Sequence, residues 1–498
     1  MIFWVLFAAA IFLLYLYSIW TYDYWKIRNV PYPKPIPFLG NIKDSIFFKK
    51  SPGECLQEIY WKFPDEKFIG IFQMRLPTIL LRDPALIKQF LIKDFDYFMD
   101  RGFYTDEERE PLTANLVNLA GHRWKLLRNK LTPAFSSGKV KQMYPLLEVC
   151  SSKLKSFIKT ELTDDEGAIE VRELTARFTT DVIGVVAFGL QFDAMTGESV
   201  FREMGKKALQ PSISTATARG MRIFLPWLFN LLKMRTFPDE INSFFTNVVK
   251  ETMIFRETKN FQRNDFLQLM MHLKNEDLKS LDKDDLLFTD NVIAAQAFIF
   301  FLAGFETSST TLSFCLYELS KNIDYQENAF QEIQELISKY GSLTYDAVVE
   351  MNYAELLLLE TMRMYPPVGN LARVCTKKYT IPGTNIRLEP GIAISIPVYA
   401  LHHDPSLYPE PSKFNPDRFK DKDILKNHAY LPFGEGPRVC IGQRFAMIEM
   451  KLALAQIISN YTVSLSSKTS TTVKLDPSAF IMAPVGGLWL KFSERNSL

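Results

Sequence analysis

Distinct hydrophobic patterns follow one another along this chain. Residues 2–22 carry no charged side chain. Coiled as a helix they span roughly 30 Å, about one bilayer core. Asn291 to Leu319 is apolar almost all round, which predicts a helix buried at the centre of a domain. Glu318 to Tyr340 repeats apolar residues at helical spacing among charges and then meets Gly341, a stop signal. Short apolar runs at Phe68–Phe72, Thr78–Leu81 and Ile392–Ile396 predict strands. Most of residues 50–370 reads as helices of varied length, and after Thr380 the chain is richer in Pro, Gly and turns. The expectation is a mainly α fold with small β-sheets.

The N-terminal run lacks the basic n-region and the short apolar stretch of roughly 7–15 residues that mark a cleaved signal peptide. It reads as a transmembrane anchor over residues 1–22. Lys26 and Arg28 follow the span and no Lys or Arg precedes it, so the remainder lies on the cytosolic side. Trp4, Trp20, Tyr22 and Trp25 suit interfacial belts. Prolines alternate at 31, 33, 35 and 37, which forbids a helix and predicts a stiff extended hinge over residues 23–40.

Composition narrows the class. The 498 residues are 47% hydrophobic and 23% charged, a globular balance. No repeat of fixed period and no low-complexity linker follows residue 40, so residues 41–498 read as one large domain. A net charge of +2 gives no reason to invoke nucleic acid. Five cysteines, an odd count, do not form a full disulfide set.

The candidate chemistry centres on Cys440, in Phe433-Gly434-Glu435-Gly436-Pro437-Arg438-Val439-Cys440-Ile441-Gly442. The sulfur sits at a loop-to-helix junction, where backbone amides and a helix N-terminus favour thiolate. A lone cysteine near a turn is more often a small buried hydrophobe. A dinucleotide fingerprint fails because Val439 stands at its third glycine position. Zinc fails because no C-x-x-C and no spaced histidine pair exists. The segment matches F-x-x-G-x-R-x-C-x-G at Phe433, Gly436, Arg438, Cys440 and Gly442, and so resembles the haem-binding signature of the cytochrome P-450 monooxygenases.

That resemblance implies the P-450 fold behind one N-terminal transmembrane helix, and haem b with Cys440 as axial ligand of its iron. It is supported by Ala303-Gly304-Phe305-Glu306-Thr307-Ser308, which taken alone is also compatible with a packing glycine and a threonine bonded back one turn. Similar to the family's A-G-x-E-T-[ST] motif, it implies that Gly304 beside Ala303 opens a groove for dioxygen, that Thr307 serves the bound oxygen and that Glu306 relays protons. Glu360-Thr361-Met362-Arg363 sets a carboxylate and a guanidinium on one helix face. The resemblance adds Arg418 to that pair and makes the trio structural. It assigns the haem propionates to Trp124, Arg128, Arg373 and Arg438, with Arg101 a weaker candidate.

No nicotinamide or flavin fingerprint occurs, so electrons come from outside. Arg123, Lys125, Lys130, Lys139 and Lys141 read singly as solvated charge; the resemblance reads them as a face for NADPH–cytochrome P-450 reductase, with cytochrome b5 a further partner. Met221 to Leu232 is too apolar for an exposed loop and reads either as core or as a second contact with membrane lipid. Pocket walls carried over by position include Phe103, Phe298, Phe301, Phe305, Val368, Leu371 and Phe480, with Glu306 as the one fixed charge facing them. They imply a neutral, lipophilic small-molecule substrate. Arg101-Gly-Phe-Tyr-Thr-Asp106 and the Phe433–Arg438 loop are similar to insect microsomal members that act on foreign compounds, which implies an endoplasmic reticulum membrane and detoxification. A dedicated hormone or fatty-acid hydroxylase stays open, as does a membrane-tethered haem- or ligand-binding protein without turnover. A haem isomerase is disfavoured because Glu306 and Thr307 are both present.

Overall fold

The computed structural model describes residues 1–162, 167–209, 213–279 and 288–495. The helices that position the site are α1 (Ile2–Ile19), α2 (Gly121–Leu131), α3 (Val171–Ile183), α4 (Asp290–Lys321), α5 (Asn352–Met364) and α6 (Gln443–Ile458). The strands are β1 (Phe68–Gln73), β2 (Leu76–Leu81), β3 (Leu371–Val374) and β4 (Ala393–Ile396).

The apolar run at 291–319 forms the long central helix α4. Thr289 caps it by accepting the Val292 amide at 3.2 Å. From Val292 to Leu319 most of its side chains are buried, because helices pack on it from several sides. The amphipathic stretch is divided differently from the expectation. Glu318 to Lys321 belong to α4, the chain breaks at Asn322 with φ −131°, and a separate helix runs Ile323–Tyr340. The apolar spacing continues across that break, so periodicity hides it. Gly341 does end the second helix, at φ 80°.

The three expected strands meet in one sheet of order β1-β2-β4-β3. β1 and β2 are antiparallel with Ile69 opposite Leu80, and β4 lies parallel to β2 with Ile394 opposite Ile79. β3 is antiparallel to β4 and brings Arg373 opposite Ile394. A second, three-stranded sheet joins Ala168–Glu170, Trp489–Glu494 and Tyr461–Leu465. One core surrounds α4 and another lies on the β1-β2-β4-β3 sheet.

Among the described residues, α1 and α4 are long and apolar enough to span a membrane. α4 is wrapped in protein, whereas α1 is exposed along most of its length, which makes α1 the candidate transmembrane anchor. The segment after it is docked rather than free. Trp25 is not an interfacial residue: it is wholly buried, its Nε1 donates to the Ile71 carbonyl at 3.0 Å, and a Cβ on Gly70 would stand 2.4 Å from its ring. The alternating prolines lie along β1, where the Gly70 amide donates to Pro31 O at 2.8 Å and the Phe72 amide to Asn41 Oδ1 at 2.7 Å.

Candidate active site

Cys440 closes a tight loop ahead of α6. Gly434 and Gly436 hold φ of 72° and 74°, and a Cβ on Gly436 would fall 2.1 Å from the Leu91 carbonyl oxygen, so only glycine fits there. The Cys440 amide donates to Phe433 O at 2.9 Å and the Val439 amide to Gly436 O at 2.9 Å. Gly442 is the N-cap of α6, and the Gly442 and Gln443 amides are directed at the sulfur. Of the five cysteines only Cys440 is exposed. Although the residue reaches the surface, protein packed around the sulfur pushes its thiol up, against those amides and the Arg128 and Arg101 cations. A coordinated metal cation reverses that balance and leaves the sulfur as thiolate.

Four guanidiniums cluster here, two of which, Arg101 and Arg128, act on this sulfur. Arg438 is buried, donates through Nη2 to Leu119 O at 2.8 Å and lies over the Trp124 ring at 4.1 Å. Arg101 reaches Val117 O at 3.2 Å and Arg438 O at 3.3 Å, so this weaker candidate stands in the same cluster. Arg373 is buried on β3, and Arg128 on α2 faces the sulfur. Burial, then repulsion from Arg101 and Arg373, pulls Arg438 down to about 8; burial and Arg101 bring Arg373 to about 9. A guanidinium does not give up its proton at these values, so the displacement expresses a demand for negative charge. Among the described residues Asp100 is the one carboxylate paired to these arginines, 3.7 Å from Arg438, and Nε of both Arg373 and Arg438 is buried without a partner. A thiol beside a cluster of cations with little negative charge among them, and with two buried Nε groups unpartnered, fits haem: Cys440 would hold its iron and the arginines would take its two carboxylates.

α4 carries a narrow accessible face at the motif. Ala303 is exposed and Thr307 half-buried on a mostly buried helix, and the Thr307 hydroxyl donates to Ala303 O at 2.6 Å. On its Cβ side Gly304 meets α3: a side chain there would lie 2.5 Å from Ile183 Cδ1, so this glycine admits α3 at close quarters. Glu306 does not face the pocket. It is buried and pairs with Arg172 of α3 at 2.5 Å. Phe301 and Phe305, expected as pocket walls, are wholly buried among Phe188, Phe192, Phe201 and Phe245, and Phe298 packs on Phe237 and Phe245. The reason is helix phase: two residues are about 200° apart, so 301 and 305 oppose 303 and 307.

The remaining walls come from loops. Val368 and Leu371 are half-buried, and Leu371 lies over the cysteine loop near Gly434. The Met482 amide donates to Pro367 O at 3.0 Å, which brings the C-terminal loop beside β3. Phe103 and Phe480 are exposed, at 40% and 69%. Gln296 ties the loop before α2 to α4: its Nε2 donates to Ala114 O at 2.9 Å and its Oε1 accepts the Leu116 amide at 2.8 Å. A lone amide inside the apolar run 292–302 was a signal for this.

Glu360, Arg363 and Arg418 come together. Arg363 grips Glu360 through Nε and Nη2 at 2.7 and 2.8 Å, and Arg418 Nε donates to Glu360 Oε1 at 3.1 Å. The Asn415 amide adds another bond at 2.9 Å, so the buried carboxylate is fully served. His402, which no sequence pattern singled out, links this cluster to the loop that leads to Cys440. Glu449 was also missed. It is buried on α6 with no ion partner and no well-formed hydrogen bond, and burial pushes its carboxyl up to about 8, opposed only weakly by the nearby Ser308 hydroxyl. Among the described residues no group of three His, Cys, Asp or Glu is placed to hold a bare metal ion.

Of the five cations near α2, Arg123 pairs with Glu107, Lys130 with Asp277 and Lys141 with Asp346. Lys139 meets Gln142 at 3.2 Å, and Lys125 is exposed. The cluster is therefore partly neutralised.

The family profile described as Cytochrome P450 matches residues 30–490, nearly the whole of this architecture. The chain is a cytochrome P450. It is 40% identical over 484 residues to probable cytochrome P450 6a13 of Drosophila melanogaster, covering 96% of each chain. It is 38% identical over 518 residues to cytochrome P450 9e2 of Blattella germanica, covering 97% of this chain and 96% of the relative. Cytochrome P450 6j1 of the same cockroach is 37% identical over 489 residues, 97% of this chain and 96% of the relative. As a member of this family the chain is a haem-thiolate monooxygenase.

Proposed function

We propose that this P450 inserts one atom of dioxygen into neutral lipophilic compounds, mainly foreign ones, with electrons from NADPH delivered by a reductase. The other oxygen atom leaves as water with two protons. The observation that carries the reading is Cys440, the one exposed cysteine, beside the cluster of Arg101, Arg128, Arg373 and Arg438. Haem b held on that thiolate supplies dioxygen binding and O–O scission.

The chain's own residues do the rest. The arginines and Trp124 seat the haem carboxylates. Thr307 holds a hydroxyl on the accessible face of α4. Glu306, next to Thr307 in the chain and held by half-buried Arg172, relays protons toward that turn. Val368, Leu371 and Ala303 offer apolar contact, and with Glu306 neutralised by Arg172 a charged substrate gains nothing. α1 holds the protein in the endoplasmic reticulum membrane, and Trp227, Leu231 and Leu232, exposed at 61%, 70% and 56%, form a second lipid contact. Lys125 and Lys139, with the paired cations around them, form the docking face for reductase and cytochrome b5.

Membranes that hold this protein and a reductase, incubated with a diverse lipophilic panel and read by mass spectrometry, test the proposal. Oxidation of many unrelated compounds is expected. Turnover confined to one endogenous hormone or fatty acid would point to a dedicated hydroxylase, and NADPH-independent binding without product would leave a ligand-binding protein.

A further inference from the structure

The motif turn Ala303–Thr307 has a back as well as a front. The front carries Ala303 and Thr307. The back is pressed against α3, and the contacts run in register. Arg172 pairs with Glu306, Thr175 Oγ1 meets Ser309 O at 3.1 Å and Ser313 Oγ at 2.9 Å, and Thr179 Oγ1 donates to Phe305 O at 2.8 Å. Ile183 fills the space beside Gly304 that a side chain would need. Positions 175, 179 and 183 are four apart and share one face of α3.

Thr179 differs from an ordinary helical threonine. Such a hydroxyl usually bonds back to its own helix. Here the bond to its own Ala176 carbonyl is the longer one, at 3.3 Å, and the shorter one crosses to α4. Both Thr179 and Phe305 are fully buried, so no water competes. A helix carbonyl that accepts an outside donor tilts outward and lengthens its own helix bond. Phe305 lies one turn from Ser309, within the segment that displays Thr307.

We propose that α3 is the back-plate of the oxygen turn, and that Thr179 is a positioning residue. It bows α4 toward α3 at Phe305 and so fixes how the Thr307 hydroxyl is presented at the site. Ile183 sets the depth to which the turn can retreat. The inference rests on the reading that Thr307 serves dioxygen.

The test uses full-length haem-loaded protein with reductase. Thr179→Val keeps the shape and removes the hydroxyl; Thr179→Ser restores it. The Val variant is expected to raise peroxide formed per product by roughly threefold, the scale of one neutral hydrogen bond. In resting protein without NADPH, amide exchange over 304–311 is expected to quicken by a similar factor while 292–298 stays unchanged, and the Ser variant restores both values. A Val variant that matches the parent in coupling and exchange, or that loses only melting temperature, overturns the proposal. Should the Val protein fail to bind haem, Ile183→Val takes its place; it removes the methyl beside Gly304, and unchanged coupling there overturns the proposal equally. Thr307→Ala separates the two levels. If it leaves peroxide output unchanged, the oxygen reading itself fails. If it raises peroxide and the α3 variants do not, only the back-plate fails.

Discussion

The Leu431 amide donates to Nε2 of His402 at 3.0 Å. An amide can only donate, so Nε2 is an acceptor and the proton sits on Nδ1, 3.2 Å from the Arg363 carbonyl. One neutral imidazole thus joins the Glu360–Arg363 cluster to the chain that leads into the cysteine loop. Burial, then the Arg363 charge, hold its pKa at about 3, and burial holds His403 at about 4. Both lie below the ordinary value near 6.5, so the unfolded chain takes up these protons first. Stability is complete above pH 6.5 and falls as pH drops below it, by up to ~1.4 kcal/mol per pH unit for each ring. Thermal melting from pH 7.5 to 5 checks this. His402→Gln is expected to be less stable at pH 7 and to show roughly half the acid slope.

Glu449 acts in the opposite sense. Its folded pKa of about 8 exceeds the usual 4.5, so the folded form keeps a proton that the unfolded chain gives up. Its contribution is intact below pH 4.5 and is lost as pH rises toward 8. Glu449→Gln removes the titration, and the variant is expected to melt higher than the parent at pH 8 with little difference at pH 5. A lower melting temperature at pH 8 would contradict a buried, unpaired acid.

Glu360→Gln leaves Arg363 buried with half its partner and deprives Arg418 of its carboxylate. Breaking a buried pair on one side typically costs about 3–5 kcal/mol. The expected outcome is little folded, haem-loaded protein, read from the ratio of Soret absorbance to total protein.

Cys440→Ser removes the soft ligand while the loop keeps its hydrogen bonds. Turnover should vanish, and the ferrous carbonyl complex should lose the absorption of thiolate-ligated haem. Retained turnover would remove the ligand assignment.

Deletion of residues 2–22 tests how the membrane is held. With Trp227, Leu231 and Leu232 still exposed on the protein, a substantial fraction is expected to stay with membranes. Substituting those three by Ser in the truncated protein should release it, as judged by sedimentation.

Patterns carried by local rules were legible in the sequence. The glycines at 434 and 436 announce a loop that only glycine can make, and the apolar run at 291–319 announces a helix enclosed on all sides. Contacts that depend on how helices face one another were not. The AGxET order says nothing of which residues look toward the haem side, so Phe301 and Phe305 were expected at the pocket although helix phase turns them into the core. Glu306 finds Arg172 134 positions away, a distance no spacing rule bridges. Trp25 has the composition of an interfacial residue, yet the gap left by Gly70 draws it inside. Glu449 left a trace as a carboxylate in the apolar stretch 445–455, but only packing reveals that it lacks a counter-ion.

The docking of residues 21–41 onto the first sheet reaches beyond local stability. Thr21 donates to the Arg75 carbonyl at 2.5 Å, Arg75 covers the Tyr17 ring at 3.7 Å, and Trp25 is bolted beneath Gly70. The joint between anchor and enzyme is therefore welded. Wherever α1 threads a bilayer, the β1-β2 hairpin inherits its tilt, and the bilayer becomes a fixed horizon against which the height of every entrance is set. Lengthening the proline stretch would then leave that attitude unaltered, whereas loosening Trp25 would let the whole body roll.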